Sequence, residues 1–386
     1  MSSASSHFKS SRRWRRAALF FSLVLGYAGM QVYALYAIYI ALGLGTSWIP
    51  LLVGWTGLMT FFPFLLWRLE HVGWHRSATA GAWLGYGWMG AVFLFFWVAL
   101  LLNGAGHVVP RVSALTGSAW FATALALTGL VAAYGVFAAT RQRIEHLYIS
   151  TPKRPAGSAP LRIAFITDVH LGALVGPRAL RRILKRLQSL NADIVVSGGD
   201  LVDGQADRLS QLVPLLAALH PPLGKYAVIG NHECFVGLDH ALDFHARAGF
   251  TVLRGSAVNV TDGLGIAGVD DPTAIGFGHT GGLDERAALA AIDSSRFSIL
   301  LKHQPRVTPQ GEPHADLQLS GHVHQGQIFP FNFLVKLVYP APMGLSDVPG
   351  GGQLYVSRGT GTWGPPMRVL APPEITLITI RAAKGA

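Results

Sequence analysis

Five short clusters of ligand-type residues punctuate the second half of the sequence. They are Asp168-Val169-His170, Gly199-Asp200-Leu201-Val202-Asp203, Gly230-Asn231-His232-Glu233, Lys302-His303-Gln304-Pro305 and Gly321-His322-Val323-His324. Carboxylates and imidazoles in company suit Mn, Fe, Zn or Ni, and Asn231 adds a neutral carbonyl oxygen. In an extended chain residues i and i+2 point to one side, so Asp168 with His170, and His322 with His324, are expected to chelate as pairs. His303 follows a buried apolar run, where an imidazole is costly unless it meets a partner or a metal. A lone Gly-Gly-Asp is more often a turn than a ligand. Five such clusters in succession, each at the exit of a predicted strand, point instead to a metal site.

The elements that must position these residues can be read from the pattern around them. Ile194–Ser197 is a short β-branched run that stops at Gly198-Gly199 and presents Asp200 at its end, where α/β sheets place their chemistry. Leu161–Thr167 reads as a strand ending in Asp168, and Pro177–Leu190 as an amphipathic helix with proline in its first turn. Strand and helix then alternate through Asp193–Ser197, Arg208–Leu219, Tyr226–Ile229 and Asp239–Ala248. Further strands are expected at Ala257–Val260, Leu264–Val269, Phe297–Leu301, Leu317–Ser320, Gln353–Ser357 and Ile375–Ile380, with a helix at Asp284–Ile292. Residues 141–386 are therefore an α/β domain with more strand in its second half.

The first part of the chain is different. Of 386 residues 51% are hydrophobic and 13% charged, too apolar for an ordinary soluble protein. Residues 1–140 carry eight basic residues and one acid, Glu70; the remainder, with 23 basic and 19 acidic residues, is only +4 of the total +11. The basic balance therefore belongs mostly to the flanks of apolar segments, which argues against a nucleic-acid partner. Four runs, Ala17–Leu44, Trp48–Trp67, Ala78–Leu102 and Ser118–Ala139, each have the length of a membrane-spanning helix. No ionisable residue lies within them, which argues against an ion pathway. The tail 1–16, the second loop and the segment after the fourth run hold eleven Lys or Arg against Arg111 alone on the other side. Residues 1–16 are thus expected to be a basic cytoplasmic tail, 17–140 four transmembrane helices, and 141–386 a cytoplasmic domain. Cys234 is the only cysteine, so no intrachain disulfide can form.

The five clusters, in this order, resemble the motifs of the calcineurin-like metallophosphoesterase superfamily over roughly residues 141–386. The tail Ser357-Arg358-Gly359-Thr360-Gly361, Met367-Arg368 and Pro372-Pro373-Glu374-Ile375-Thr376-Leu377 resembles a bacterial membrane-associated branch similar to UDP-2,3-diacylglucosamine hydrolases. The resemblance implies a four-layer α/β/β/α sandwich with two divalent metals at the strand ends. It implies that Asp168, His170 and His324 hold one metal, that Asn231, His303 and His322 hold the other, and that Asp200 bridges them. His232 matches the catalytic histidine beside the phosphate, and Asp203 a position outside the ligand set; Glu233 stands where Asp is common. The implied reaction is hydrolysis of a phosphoester or pyrophosphate bond by attack of a metal-bridged hydroxide. The resemblance also places the protein in the bacterial inner membrane, with the bilayer as partner and a lipid-linked phosphoester as a substrate to test. A nuclease or cyclic-nucleotide phosphodiesterase of the same chemistry, and a membrane sensor with a regulatory metal domain, are the alternatives.

Three other features carry expectations. Cys234 is expected to be a buried bystander. The apolar stretch Phe329–Tyr339 is either a core segment or a membrane-facing lip, with Phe331 and Phe333 its test residues. Arg358 and Arg368 are candidate substrate-binding residues, or partners of nearby acids.

Overall fold

Alternation along the strands decides how the second part of the chain folds. Ile163, Phe165, Ile194 and Val196 bury into one apolar cluster, while their neighbours Ala164, Ile166 and Val195 bury into another. A strand apolar on both faces must be covered on both, and a layered sandwich results. The structure, a computed structural model, describes residues 3–307, 315–349 and 351–383. It divides into two compact units, Met1–Tyr134 and Gly135–Ala386.

The first unit is helical. Phe20–Ala41, Thr46–His71, His75–Gly106 and Gly117–Ala139 are each long and apolar enough to cross a membrane. The helix containing the first of these begins at Ser3, so the basic residues expected as a tail are part of the same helix. Large apolar side chains such as Leu25, Phe61, Leu101 and Leu130 are exposed, as helices that face lipid require. Contact between the second and third helices uses glycine: a Cβ on Gly85 would lie 2.1 Å from Phe62, and one on Gly81 2.8 Å from Leu66. Small residues spaced four apart let membrane helices approach closely. One polar node ties three helices together. Gln31, fully buried, donates to Thr60 Oγ1 at 2.9 Å and accepts from Trp88 Nε1 at 3.0 Å.

Among the described residues, the second unit holds twelve strands. They are β1 (Arg143–Thr151), β2 (Leu161–Ile166), β3 (Ile194–Ser197), β4 (Lys225–Ala227), β5 (Thr251–Val252) and β6 (Ser256–Thr261), followed by β7 (Leu264–Gly268), β8 (Phe297–Leu301), β9 (Leu317–Ser320), β10 (Gly344–Asp347), β11 (Gln353–Val356) and β12 (Glu374–Ala382). They form two six-stranded sheets, ordered β1-β12-β2-β3-β4-β5 and β10-β11-β9-β8-β7-β6. The runs β2 to β5 and β7-β8-β9-β11 are parallel. The sheets bury their facing sides together through Ile163, Phe165, Ile266, Ile299, Leu301 and Leu319. On the outer side of the first sheet, Leu180, Ile183, Leu184 and Leu187 of helix Pro177–Ser189 join Phe244 of helix Leu238–Arg247. Ala288 and Leu289 of helix Glu285–Ala290 cover Ala267 and Leu300 of the second. The order of layers is helix, sheet, sheet, helix.

Three elements depart from the sequence reading. The helix expected over Arg208–Leu219 is two short ones, Ala206–Ser210 and Val213–Ala217, because Pro214 cannot donate within a continuing helix. β1, paired along its length with β12, starts just beyond the last apolar helix. The stretch past the histidine pair contains a helix, Asn332–Val338, none of whose residues is buried.

Candidate metal centre

Every cluster leaves the carboxyl end of a strand. Asp168 follows β2, Asp200 follows β3, Asn231 follows β4, His303 follows β8 and His322 follows β9. Both sheets thus deliver ligand-type side chains to one end of the sandwich. The backbone there is not extended. Asp168 (φ 54°), His170 (φ 54°), Asp200 (φ 51°), His322 (φ 70°) and His324 (φ 48°) all lie in the left-handed region. The expectation that i and i+2 share a side because the chain is extended is therefore corrected. Turns of left-handed residues bring Asp168 and His170 into one ligand group but send His322 and His324 into different ones, so the expectation that those two histidines chelate as a pair is corrected too. Each such residue costs of order 1–3 kcal/mol that the surrounding packing must offset. The motif glycines leave room for the carboxylates. A Cβ on Gly230 would meet Asp200 Oδ1 at 2.2 Å, and one on Gly321 would meet Asp168 Oδ2 at 2.2 Å.

Two lobes result. In the first, Asp168, His170 and His324 offer ligand atoms within 4.8 Å of one another; in the second, Asp200, His303 and His322 do so. Asp200 also groups with His170 and His232, so one carboxylate reaches toward both lobes. His170 Nε2 faces His324 Nε2 at 3.1 Å, and His322 Nδ1 faces His303 Nε2 at 3.2 Å. His303 Nε2 is also 3.1 Å from Asp200 Oδ2. Asn231, 9% exposed, has an Oδ1 with no hydrogen-bond partner. A buried acceptor left unpaired, on the residue before His232, whose backbone N–H donates to Asp200, is what a divalent cation would satisfy. The donor set fits Mn, Fe, Zn or Ni.

Supporting contacts orient the rings. His303 donates from Nδ1 to Gly198 O at 2.9 Å, leaving Nε2 for the site. His322 Nε2 meets the Tyr339 hydroxyl at 2.9 Å, and that hydroxyl donates to Gln304 at 3.1 Å. Thr167 donates to Asp168 Oδ2 at 2.9 Å, and His322 N donates to both oxygens of Asp168. Burial pushes Asp168 above the usual carboxylate range. Burial acts the same way on Asp200, but His303 and His232 outweigh it and hold Asp200 well below that range. His322 is lowered to about 4 by burial and by the charge of His303.

A relative from Aquifex aeolicus, an uncharacterized metallophosphoesterase, is 40% identical over 253 residues, which is 65% of this chain and 97% of that one. The calcineurin-like phosphoesterase family matches residues 161–326. The chain is a calcineurin-like metallophosphoesterase. A transmembrane protein with a metallophosphoesterase domain from Danio rerio is 34% identical over 311 residues, 76% of this chain and 71% of that one. That match is longer than the second unit and so extends into the helices. An uncharacterized metallophosphoesterase of Bacillus subtilis is 31% identical over 242 residues, 59% of this chain and 82% of that one. The metallophosphoesterase is thus a metal-dependent hydrolase with four apolar helices of membrane-spanning length.

The structure places the candidate residues of this phosphoesterase as follows. Asp168, His170, Asp200, His232, His303, His322 and His324 fall into overlapping ligand groups at the strand ends, and Asn231 lies in the chain after β4, directly before His232. His232 N donates to Asp200 Oδ1 at 2.8 Å, and its Nδ1 lies 2.7 Å from Asp203 Oδ1. Burial opposes a charge on this ring, yet the Asp203 and Asp200 carboxylates push it up to about 9. The two arginines meet groups of the protein itself. Arg358 pairs with Glu145 and with Glu374. Arg368 is fully buried and donates to the carbonyls of Gly361, His324 and Arg358 and, at 2.9 Å, to His324 Nδ1. These contacts favour the alternative reading, partners of groups of the protein, for Arg358 through Nη2 and for Arg368 through its whole guanidinium, while among the described residues Arg358 Nε has no hydrogen-bond partner. Burial pushes the Cys234 thiol up to about 12, which keeps it protonated and inert.

One residue counts for more than its sequence suggested. The Glu233 carboxylate accepts from the backbone N–H groups of Gly230, Asp200, Leu201 and Val202 at 2.7–3.2 Å. It staples the turn after β3 to the turn after β4. Its place in the first turn of helix Asn231–Val236, where carboxylates accept free N–H groups, was the available signal.

Proposed function

We propose that this protein is a membrane-anchored phosphoesterase working with two divalent metals, one in each lobe, bridged by Asp200. The observation that carries the reading is the sharing of Asp200 between ligand groups on both sides, beside the unpaired Asn231 Oδ1. Asp168, His170 and His324 would hold one cation; Asn231, His303 and His322 would hold the other. Bound there, the pair supplies Lewis acidity toward the phosphoryl oxygens and water made nucleophilic near neutral pH. His232 carries the proton for the leaving oxygen, with Asp203 fixing its ring through Nδ1 so that Nε2 is free to donate. Glu233 holds the backbone that aims Asp200, and Gly230 and Gly321 let the carboxylates sit close.

The substrate proposed is a phosphoester or pyrophosphate on an amphiphile, in the manner of UDP-2,3-diacylglucosamine, reached from the cytoplasmic face of a bacterial inner membrane. The distribution of basic residues supports that orientation. The exposed helix Asn332–Val338 supports contact with lipid: Phe333, Leu334, Leu337 and Val338 are exposed on it, with Phe329 just before it. Phe331 is only half-buried, so Phe333 and Leu337 are the better residues with which to probe that lip. The near-balanced charge of residues 141–386 weighs against a nuclease.

The test is turnover of bis(p-nitrophenyl) phosphate and p-nitrophenyl phosphate by the full chain in lipid nanodiscs with Mn, followed by a screen of lipid extracts. Metal-dependent release of p-nitrophenol supports the reading. No turnover with Mn, Fe, Zn or Ni, although elemental analysis finds the metal bound, would put the sensor alternative in its place.

A further inference from the structure

Three exposed aromatic rings gather at His232 from three separate segments. Phe235 lies one turn further along the same short helix, its ring 5.3 Å from the imidazole and edge-on to it. Trp363, in the loop after β11, approaches to 5.7 Å, also edge-on. Phe277, at the end of the turn Pro272–Phe277, meets Phe235 at 6.0 Å. All three are about half exposed: Phe235 53%, Phe277 51% and Trp363 54%.

Aromatic surface left in water is unfavourable at roughly 25 cal/mol per Å², and a patch gathered at a site marks what binds there. Trp363 is also fixed in place. Its backbone N–H donates to Gln327 Oε1 at 3.0 Å, while Gln327 Nε2 donates to Trp363 O at 2.7 Å and to Pro365 O at 2.9 Å. Gln327 follows His324 by three residues, so the loop that supplies a candidate ligand histidine also fixes the backbone that carries this indole. A half-exposed ring on a backbone held at both its N–H and its C=O starts from a restricted set of positions, which favours binding.

The identity of that ligand follows from His232. If this imidazole gives its proton to the leaving oxygen, the leaving group lies within its reach and therefore across Phe235 and Trp363. Arg368 is engaged behind His324 and Arg358 gives Nη2 to Glu145 and Glu374, so neither is placed beside these rings as a partner for a second anionic group. We propose that Phe235, Phe277 and Trp363 form the leaving-group subsite, selecting phosphoesters whose leaving portion carries an apolar group next to the scissile bond. This rests on the phosphoesterase reading above and adds to it the residues that set specificity.

The experiment compares methylphosphonate with pentylphosphonate as competitive inhibitors of bis(p-nitrophenyl) phosphate turnover by the Mn-loaded full chain in nanodiscs. Both carry the same metal-binding head, so the ratio of their inhibition constants reads the apolar contact alone. In the wild type pentylphosphonate is expected to bind roughly tenfold more tightly, as partial burial of its added methylenes implies. The ratio is expected to fall to about 2 in Trp363→Ser and in Phe235→Ser, whatever either substitution does to turnover. A wild-type ratio near 1, or an unchanged ratio in both variants, overturns the subsite and leaves the phosphoesterase intact. Turnover that neither phosphonate inhibits overturns the placement of the phosphoryl group at the metals, and the subsite with it.

Discussion

Behind His324 stands a guanidinium; behind His303 stands a carbonyl oxygen. Both histidines reach the site from loops that follow parallel strands of one sheet, yet their supports push in opposite directions. An arginine can only donate, so Arg368 brings positive charge to His324 Nδ1, and with burial it holds that ring well below the ordinary imidazole range. Gly198 O accepts a hydrogen bond from His303 Nδ1. Burial opposes charge there too, but Asp200 outweighs it and holds His303 well above the ordinary range. A hydrogen-bond acceptor behind an imidazole raises its strength as a ligand, and such partners change metal affinity by about 10–100-fold. If each lobe takes a cation as proposed, the difference implies that two lobes with similar ligand types need not hold them equally, and that the Asp168–His170–His324 lobe should be the weaker.

The comparison can be broken most directly at the residue common to both sides. Asp200→Asn removes the shared charge, so both lobes should lose metal together and turnover should fall by more than about 100-fold, the upper end for losing a mere supporting partner. Elemental analysis of the purified variant checks the first outcome and steady-state assay the second. A variant that kept one full equivalent of metal would show that Asp200 belongs to one lobe alone. The next effect in size separates the lobes. Titration of the loaded protein with a chelator should remove metal in two phases with affinities roughly tenfold apart. His324→Ala should abolish the weak phase and His303→Ala the tight one. A single phase, or the reverse assignment, would sink the claim that the backing groups set the order.

Much of this site was legible because ligand clusters at strand exits are local in sequence. Asp168, His170, Asp200, Asn231, His303, His322 and His324 each sit within a few residues of an apolar run that ends at glycine or a polar turn. The supports were not legible, because each acts across a long stretch of chain. Arg368 meets His324 from 44 residues away, and Glu233 accepts from a loop more than 30 residues earlier. Nothing in a linear reading distinguishes a guanidinium facing substrate from one buried behind a ligand. The left-handed backbone at five ligand positions was hidden for a related reason: non-glycine residues adopt it only when tertiary contacts over-determine them. The apolar helices show the converse. Their spans followed from length and composition, whereas the Gln31–Thr60–Trp88 node escaped notice because a search for charge passes over an amide.

A smaller effect tests how the proton donor is held. Asp203 raises His232 by charge and by the 2.7 Å contact at Nδ1. A group that must be protonated to act loses activity as pH rises through its pKa, so the alkaline limb of the rate profile belongs to His232. Asp203→Asn removes the negative charge, lowers that pKa and should move the limb to lower pH, with kcat reduced about tenfold. An unmoved limb would mean that another group carries the proton.

The smallest effect expected is at Tyr339, and it sharpens the contrast between lobes. The Tyr339 hydroxyl donates to Gln304 Oε1, so toward His322 it acts as acceptor, and His322 must donate from Nε2. That leaves Nδ1 facing His303 Nε2 with its lone pair free. Tyr339→Phe removes the acceptor but keeps the ring that packs edge-on to the imidazole at 5.1 Å. His322 then loses its fixed tautomer and becomes a poorer ligand, while the first lobe, which Tyr339 does not touch, keeps its affinity. The tight phase of the chelator titration should weaken about threefold, toward the lower end of what such partners contribute, and the gap between phases should narrow. If the gap widened instead, the hydroxyl would have to act on the first lobe, and the pairing of each ring with its own support would be wrong.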